Sequence, residues 1–248
     1  MKKISIKQII TLLATIITIT VNGLANTLPL NGLTTGDISD QFEIYFVPAG
    51  YVFSIWGLIY LGLILYSIYQ VLPSQRDNQV LNRIAPAYWI SSLANSTWIF
   101  LWHYEVFSLT ITAMVAILGS LLYIYLHLRE SKGIQKWLVR LPFSVYLGWI
   151  TVATVANTSQ FLYFFNWGGW EIPGAMWAAI MIAVAGLLGI LMAWRENDLP
   201  YVLVLIWAFV GITVSQFDTS LVVNASWTAV VVLLVGMIVS SIKNKRLY

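Results

Sequence analysis

Polar and aromatic side chains recur at helical spacing inside three long apolar stretches of the chain. The three sets are Phe53, Trp56 and Tyr60; Tyr88, Ser91, Asn95, Trp98 and Trp102; and Tyr146, Trp149, Ala153, Asn157 and Gln160. Steps of three and four residues place each set on one side of a helix. Amides that face lipid would lack hydrogen-bond partners, so we expect these three faces to point into a helix bundle.

Two interpretations of the three faces are open on spacing alone. In the first, Asn and Ser side chains hydrogen-bond across helices and hold the bundle together. In the second, the faces line a pocket in which the rings stack on a flat apolar ligand while the amides bind its polar groups.

Groups that carry acid–base, thiol or metal chemistry are scarce in the chain. There is no cysteine, the only histidines are His103 and His127, and no Asp, Glu, Lys or Arg lies near the middle of an apolar stretch. This composition excludes a disulfide framework and a thiolate metal site, and it disfavours ion-coupled transport and a retinal-binding lysine. We therefore expect a protein that is not an enzyme, has no metal site and does not bind nucleic acid.

The elements that must position the three faces are transmembrane helices. Hydrophobic residues make up 59% of the chain and charged residues 9%, whereas soluble domains have roughly 45–50% and 25%. A membrane span needs about 20 mostly apolar residues. Eight stretches qualify: 8–27, 46–71, 85–103, 107–128, 141–164, 174–194, 200–217 and 223–242. The predicted fold is an all-α polytopic membrane helix bundle of eight transmembrane helices.

The basic residues support this division because they all fall on one side of the proposed membrane. They are Lys2, Lys3, Lys7, Arg76, Arg83, Arg129, Lys132, Lys136, Arg140, Arg195, Lys243, Lys245 and Arg246. The positive-inside rule makes that side cytoplasmic. The pattern predicts a multi-pass protein of the cell membrane with its N- and C-termini in the cytoplasm.

Two features leave alternatives open. Lys2 and Lys3 precede an apolar run, as in a signal peptide; we expect the run to be retained as the first helix, whereas cleavage would leave seven spans. Helices 3–4 and 5–6 share Asn-containing triplets and similarly spaced Glu105 and Glu171. They are either parallel copies of one hairpin, as in some transporters, or ordinary hairpins with acids outside and bases inside.

Three motifs resemble the translocator-protein (TspO) family, whose members are also called tryptophan-rich sensory proteins or peripheral benzodiazepine receptors. The opening of the family's second helix is similar to Pro48-Ala49-Gly50-Tyr51-Val52-Phe53-Ser54-Ile55-Trp56-Gly57-Leu58-Ile59-Tyr60. The family's third helix is matched by Asn95 and Trp98, and its fifth by Tyr146, Trp149, Ala153 and Asn157 with Pro142 upstream. The resemblance covers about residues 8–165.

This resemblance implies a TspO-like five-helix bundle over residues 1–165, with a pocket capped by the loop between helices 1 and 2. Three additional transmembrane helices then occupy 166–248. Family members bind tetrapyrroles and other flat hydrophobic molecules. The implied partners are therefore the lipid bilayer and a hydrophobic small molecule such as a porphyrin or haem, while a homodimer is left open.

The resemblance also implies a set of ligand-binding residues, which are Trp56, Tyr60, Asn95, Trp98, Trp149, Ala153 and Asn157. Their rings would stack on a planar ligand, Asn95 and Asn157 would hydrogen-bond it, and Ala153 would leave room for it.

Departures from the family pattern widen the choice of function. One residue is missing between Phe53 and Trp56, Tyr51 stands in place of a tryptophan, and Phe100 occupies a position that is commonly proline. The first hypothesis is a ligand-binding membrane receptor or sensor. The second is a passive or exchange-type transporter of an apolar or zwitterionic metabolite, and the third, ranked lowest, is an enzyme that modifies a bound porphyrin.

Overall fold

Long helices make up most of the structure. The computed structural model describes residues 4–28 and 30–245. Within these residues the long helices are α1 (Ile6–Thr27), α2 (Ile55–Val71), α3 (Gln79–His103), α4 (Phe107–His127), α5 (Leu141–Phe164), α6 (Gly174–Leu191), α7 (Leu199–Ser215) and α8 (Ser220–Lys245). The regular structure of the described residues is all helical, as predicted.

Six helical stretches of the described chain are long and apolar enough to cross a membrane. They are Ile6–Thr27, Gly50–Val71, Phe107–His127, Gly133–Phe164, Gly174–Glu196 and Ser220–Lys243. The remaining two long helices are α3, which buries several polar residues, and α7, which is apolar but has only 17 residues. The chain is thus a polytopic helical membrane protein, and the predicted count of eight crossings stays a prediction.

Two predicted helix starts are wrong. Helix α2 begins at Ile55 rather than near residue 46, because residues 43–49 are not helical and Gly50–Ser54 forms a 3-10 turn. Helix α3 begins at Gln79, so Pro86 lies inside it rather than at its start. Proline frees the carbonyl four residues earlier, and the Nζ of Lys7 lies 3.5 Å from that oxygen, on Asn82.

The chain divides into two compact units, Met1–Gln41 with Ile55–Ile150, and Phe42–Ser54 with Thr151–Tyr248. Helix α5 therefore begins in the first unit and ends in the second. The predicted division after residue 165 rests on the family resemblance and stays a prediction.

In the first unit, α2, α3 and α5 meet around three buried rings. Tyr66, Tyr88 and Phe143 lie edge-on to one another with centroids 5.0–5.7 Å apart. One turn of α2 away, a side chain on Gly62 would place its Cβ 2.8 Å from Cβ of Pro142. The absence of a side chain at Gly62 is what lets α2 and α5 approach this closely.

Helix α1 turns its polar side inward. Its buried residues are Gln8, Thr11, Thr15, Thr18, Asn22 and Ala25. Thr15 hydrogen-bonds Tyr88 at 2.6 Å, and Asn22 hydrogen-bonds Asn95 at 2.7 Å. From the first pair to the second, the chain advances by seven residues along α1 and by seven along α3. The two helices therefore run in the same direction.

In the second unit, α6, α7 and α8 pack through glycines. A Cβ on Gly189 of α6 would lie 2.6 Å from a methyl group of Leu233 on α8 and 2.8 Å from one of Leu205 on α7. On α8, the Ser240 hydroxyl donates to the Ala193 carbonyl at 2.6 Å. Small residues and hydroxyl bonds of this kind are the usual means of joining helices in membranes.

Candidate ligand-binding face

An aromatic cluster in the first unit forms around Trp56. The Trp56 ring stacks on Tyr60, one turn along α2, with centroids 5.5 Å apart and an interplanar angle of 21°. It meets two rings of α5 edge-on, Tyr146 at 5.8 Å and Trp149 at 6.2 Å. Edge-on and offset-stacked arrangements are the favoured geometries of aromatic pairs. The structure thus brings together three of the residues predicted from the sequence, Trp56, Tyr60 and Trp149.

A chain of hydrogen bonds holds Tyr146, one of the buried rings of this aromatic cluster. Asn95 donates from Nδ2 to the Tyr146 hydroxyl at 3.0 Å, and its Oδ1 accepts from Nδ2 of Asn22 at 2.7 Å. Asn22 also donates to the Thr18 carbonyl at 2.8 Å. Asn95 therefore joins α1 to α5 and keeps one N–H and one oxygen lone pair for another partner.

Exposure divides the cluster into a buried base and an accessible edge. Trp149 and Asn95 are 3% and 2% exposed, and Tyr146 is buried with them. Trp56 and Tyr60 are half-buried and keep part of their rings accessible. Because all five side chains are uncharged at neutral pH, the cluster offers stacking and hydrogen bonding.

The other predicted residues lie at two further places. Trp98 stacks on Trp102 with centroids 4.8 Å apart. Ala153 and Asn157 follow Trp149 on α5 by one and two turns and belong to the second unit, where Ala153 is half-buried and Asn157 is buried. The assignment of these residues to a ligand site stays a prediction.

The loop between α1 and α2 is attached to the end of α3 through His103. The Nδ1 of this buried histidine lies 3.1 Å from the Leu30 carbonyl, and its Nε2 lies 3.1 Å from the Thr35 hydroxyl. The indole of Trp102 donates to the Thr35 carbonyl at 3.2 Å. A neutral imidazole that donates from Nδ1 and accepts at Nε2 satisfies both contacts.

A capping box stabilises the short helix Thr35–Ser39 within this loop. The Asp37 carboxylate accepts from the Thr34 backbone N–H at 2.8 Å and from the Thr34 hydroxyl at 2.7 Å. The bond from the backbone N–H has the larger effect, and both bonds lower the pKa of the Asp37 carboxyl. The capping box therefore favours the ionised carboxylate and holds Thr35 where it meets His103.

Sequence reasoning missed the polar row on α1 and the central position of Tyr146. The row comprises Gln8, Thr11, Thr15, Thr18 and Asn22, and its steps of three and four residues were visible in the sequence. Tyr146 was placed on the face of α5 without a ligand-binding role. Its contacts with Trp56 and Asn95 join residues from three helices, which spacing within one helix does not reveal.

Metal-binding side chains are not grouped in the part of the chain that the structure describes. No three residues among His, Cys, Asp and Glu lie close enough there to hold an ion. The polar groups around the aromatic cluster are amides and hydroxyls, which suit an organic ligand better than a transition metal.

Comparison with models of known protein families gives a match over most of the chain. The model of the TSPO-like protein family matches residues 8–239. No curated protein matches the chain, and no solved structure matches it. The matched range begins in α1 and includes α6, α7 and most of α8.

Proposed function

The chain belongs to the TSPO-like protein family, and we propose that it is a receptor or sensor for a flat hydrophobic ligand. The observation that carries this proposal is the Trp56 ring, which is held by Tyr60, Tyr146 and Trp149 but remains partly accessible. A half-buried ring on a rigid aromatic base loses little conformational freedom when a planar molecule stacks on it.

The proposed site uses the two kinds of group differently. Trp56 and Tyr60 stack on the ligand, while Asn95 holds the Tyr146 ring in place and offers its remaining N–H. Ala153 and Asn157 are the further candidates on α5 that the family resemblance implies. A tetrapyrrole of the porphyrin or haem type is the proposed ligand class, because its extended plane matches a face built from rings.

Titration of the purified protein with protoporphyrin IX tests the proposal. The chain has 12 tryptophans, so the absorption band of the porphyrin reports binding better than total protein fluorescence. We expect saturable binding that Trp56→Ala weakens and Trp227→Ala leaves unchanged. Trp227 is an exposed indole on α8 and serves as the matched control. Equal affinity in wild type and Trp56→Ala would place the site elsewhere.

A passive or exchange-type transporter is the second candidate, and the polar row on α1 favours it. Five buried, uncharged polar residues recur turn by turn from Gln8 to Asn22. Such a row can lower the cost of moving a small zwitterionic or apolar metabolite past α1. Counterflow of protoporphyrin IX or a neutral amino acid in proteoliposomes separates transport from binding, since a receptor alone shows no flux above empty vesicles.

Modification of the porphyrin is the third candidate and ranks lowest. The aromatic cluster has no charged acid–base pair among its residues, so we assign no catalytic side chain. Mass analysis of the porphyrin recovered after incubation distinguishes this candidate, because a receptor returns the molecule unchanged.

A further inference from the structure

The segment of residues 42–54, which precedes α2, lies against α7 in the second unit. The backbone N–H of Ala49 donates to the Gly211 carbonyl at 3.0 Å. Two side chains, one within α7 and one directly after its last residue, bind the same segment. The indole of Trp207 donates to the Val52 carbonyl at 3.1 Å, and Gln216 Nε2 donates to the Ile44 carbonyl at 3.3 Å.

Gly211 forms the notch that receives this segment. A Cβ at position 211 would overlap Cγ2 of Val52 and lie 3.0 Å from Cβ of Pro48. Val52 is fully buried, with 0% exposure. Glycine is ordinarily unfavourable inside a helix compared with alanine, so its presence in α7 is explained by the close approach of residues 48–52.

Contacts on either side of the notch extend the docked surface. The Tyr51 ring meets Trp207 edge-on, with centroids 5.3 Å apart. A Cβ on Gly174, at the start of α6, would lie 3.2 Å from the Tyr45 ring, and the Phe42 ring meets Tyr163 edge-on at 5.9 Å. Residues 42–52 therefore contact the end of α5, the start of α6 and the second half of α7.

Contacts with α7 provide hydrogen-bond partners for backbone groups of this segment that an α-helix would otherwise pair. Residues 43–49 are outside regular structure, and peptide groups that are buried without a hydrogen-bond partner are costly. The bonds from Ala49 to Gly211, from Trp207 to Val52 and from Gln216 to Ile44 fix three points along nine residues of chain.

We propose that Gly211 and Trp207 are positioning residues: by holding Pro48–Val52 they fix the residue at which α2 begins, and Trp56 lies in the first turn of that helix. This gives α7 a role, since it carries the residues that bind the motif resembling the opening of the family's second helix. The consequence for ligand affinity rests on the proposed function, whereas the docking itself does not.

Amide hydrogen exchange tests the docking without any ligand. We expect slow exchange at Ala49 and Val52 in the wild type, and at least tenfold faster exchange across residues 42–58 in Gly211→Ala. Gly186→Ala is the matched control, because its Cβ would meet Ala229 at an ordinary 3.7 Å. Unchanged exchange of residues 42–58 in Gly211→Ala would overturn the proposal.

A compensating substitution separates positioning from general destabilisation. Val52→Ala removes the methyl group that a Cβ at position 211 would overlap, so Gly211→Ala/Val52→Ala is expected to regain most of the lost protection. Simple loss of packing predicts instead that the double variant exchanges faster than either single one. If Gly211→Ala fails to fold, Trp207→Phe replaces it, since this change removes the indole N–H that binds the Val52 carbonyl and keeps a ring beside Tyr51.

Binding of protoporphyrin IX then tests the consequence for α2. We expect Gly211→Ala to weaken binding about tenfold or more and the double variant to recover it. Faster exchange at 42–58 with unchanged porphyrin affinity would overturn the positioning role. If the wild type binds no porphyrin, the proposed function fails for that ligand, and exchange at residues 55–58 still decides whether the notch fixes the start of α2.

Discussion

The amide of Asn95 and the hydroxyl of Tyr146 form a buried hydrogen bond of 3.0 Å that joins α3 to α5. Tyr146 in turn supports the Trp56 ring edge-on, and Asn95 accepts from Asn22 of α1. One side chain on each of four helices is thus connected in series. The two interpretations of the polar faces are therefore compatible, because the bonds that hold the bundle together also orient the accessible ring.

The Asn95–Tyr146 bond can be measured with a double-mutant cycle of Asn95→Leu and Tyr146→Phe. Interhelical hydrogen bonds in membranes average about 0.6 kcal/mol and reach about 1.7 kcal/mol, so we expect a coupling energy in that range for unfolding in a denaturing detergent. Tyr163→Phe, at an exposed ring, is the control and should show no coupling to Asn95→Leu. Strictly additive effects of Asn95→Leu and Tyr146→Phe would mean that the bond does not stabilise the bundle.

Trp149→Ala is expected to weaken binding of protoporphyrin IX more than Trp170→Ala. Trp149 is buried against Trp56, whereas Trp170 is 75% exposed in the loop after α5. Loss of one stacked ring from a desolvated site costs roughly 1–3 kcal/mol by analogy with base–aromatic stacking. Affinity is measured from the porphyrin absorption band, with helix content by circular dichroism as the folding check. Equal losses in both variants would remove Trp149 from the site.

Ala153→Leu distinguishes a pocket wall from a helix contact. If the small residue leaves room for a ligand, the added bulk lowers porphyrin affinity while the melting temperature in detergent changes little. If it lets another helix approach, overpacking destabilises the bundle by typically 1–3 kcal/mol. We expect the first outcome, because the resemblance to the family places this alanine in the pocket. A lower melting temperature with unchanged affinity would support the helix contact.

Reporter fusions test the proposed topology of eight crossings with both termini in the cytoplasm. The one-sided distribution of Lys and Arg predicts that a fusion after Tyr248 reports the cytoplasm, while a fusion within 28–45 reports the opposite side. A cytoplasmic signal from both positions would require another assignment of α1. A non-cytoplasmic signal from the C-terminal fusion would exclude an even number of crossings that start in the cytoplasm.

Several parts of the fold could be predicted from the sequence because they depend on local patterns. The end predicted for α5 agrees with the structure, whereas the helical stretch that contains α5 begins at Gly133, before the predicted start. The bounds predicted for α4 differ from the structure by one residue. Long apolar runs bounded by charged or turn residues are visible without knowledge of packing. The motifs around Trp56, Asn95 and Trp149 likewise indicated the family that the match over residues 8–239 establishes.

Other features of the fold depend on contacts between residues that are far apart in the chain, which local sequence patterns do not reveal. The segment that precedes α2 packs against Gly211, which lies far along the chain, because Pro48 and Val52 fill the notch that this glycine leaves. Pro86 lies inside α3, where Lys7 approaches the carbonyl that proline frees. Local sequence determined which segments are helical and which sides of them are polar. Only the tertiary structure decided which polar groups meet, because hydrogen bonds and close packing depend on distances in space rather than along the chain.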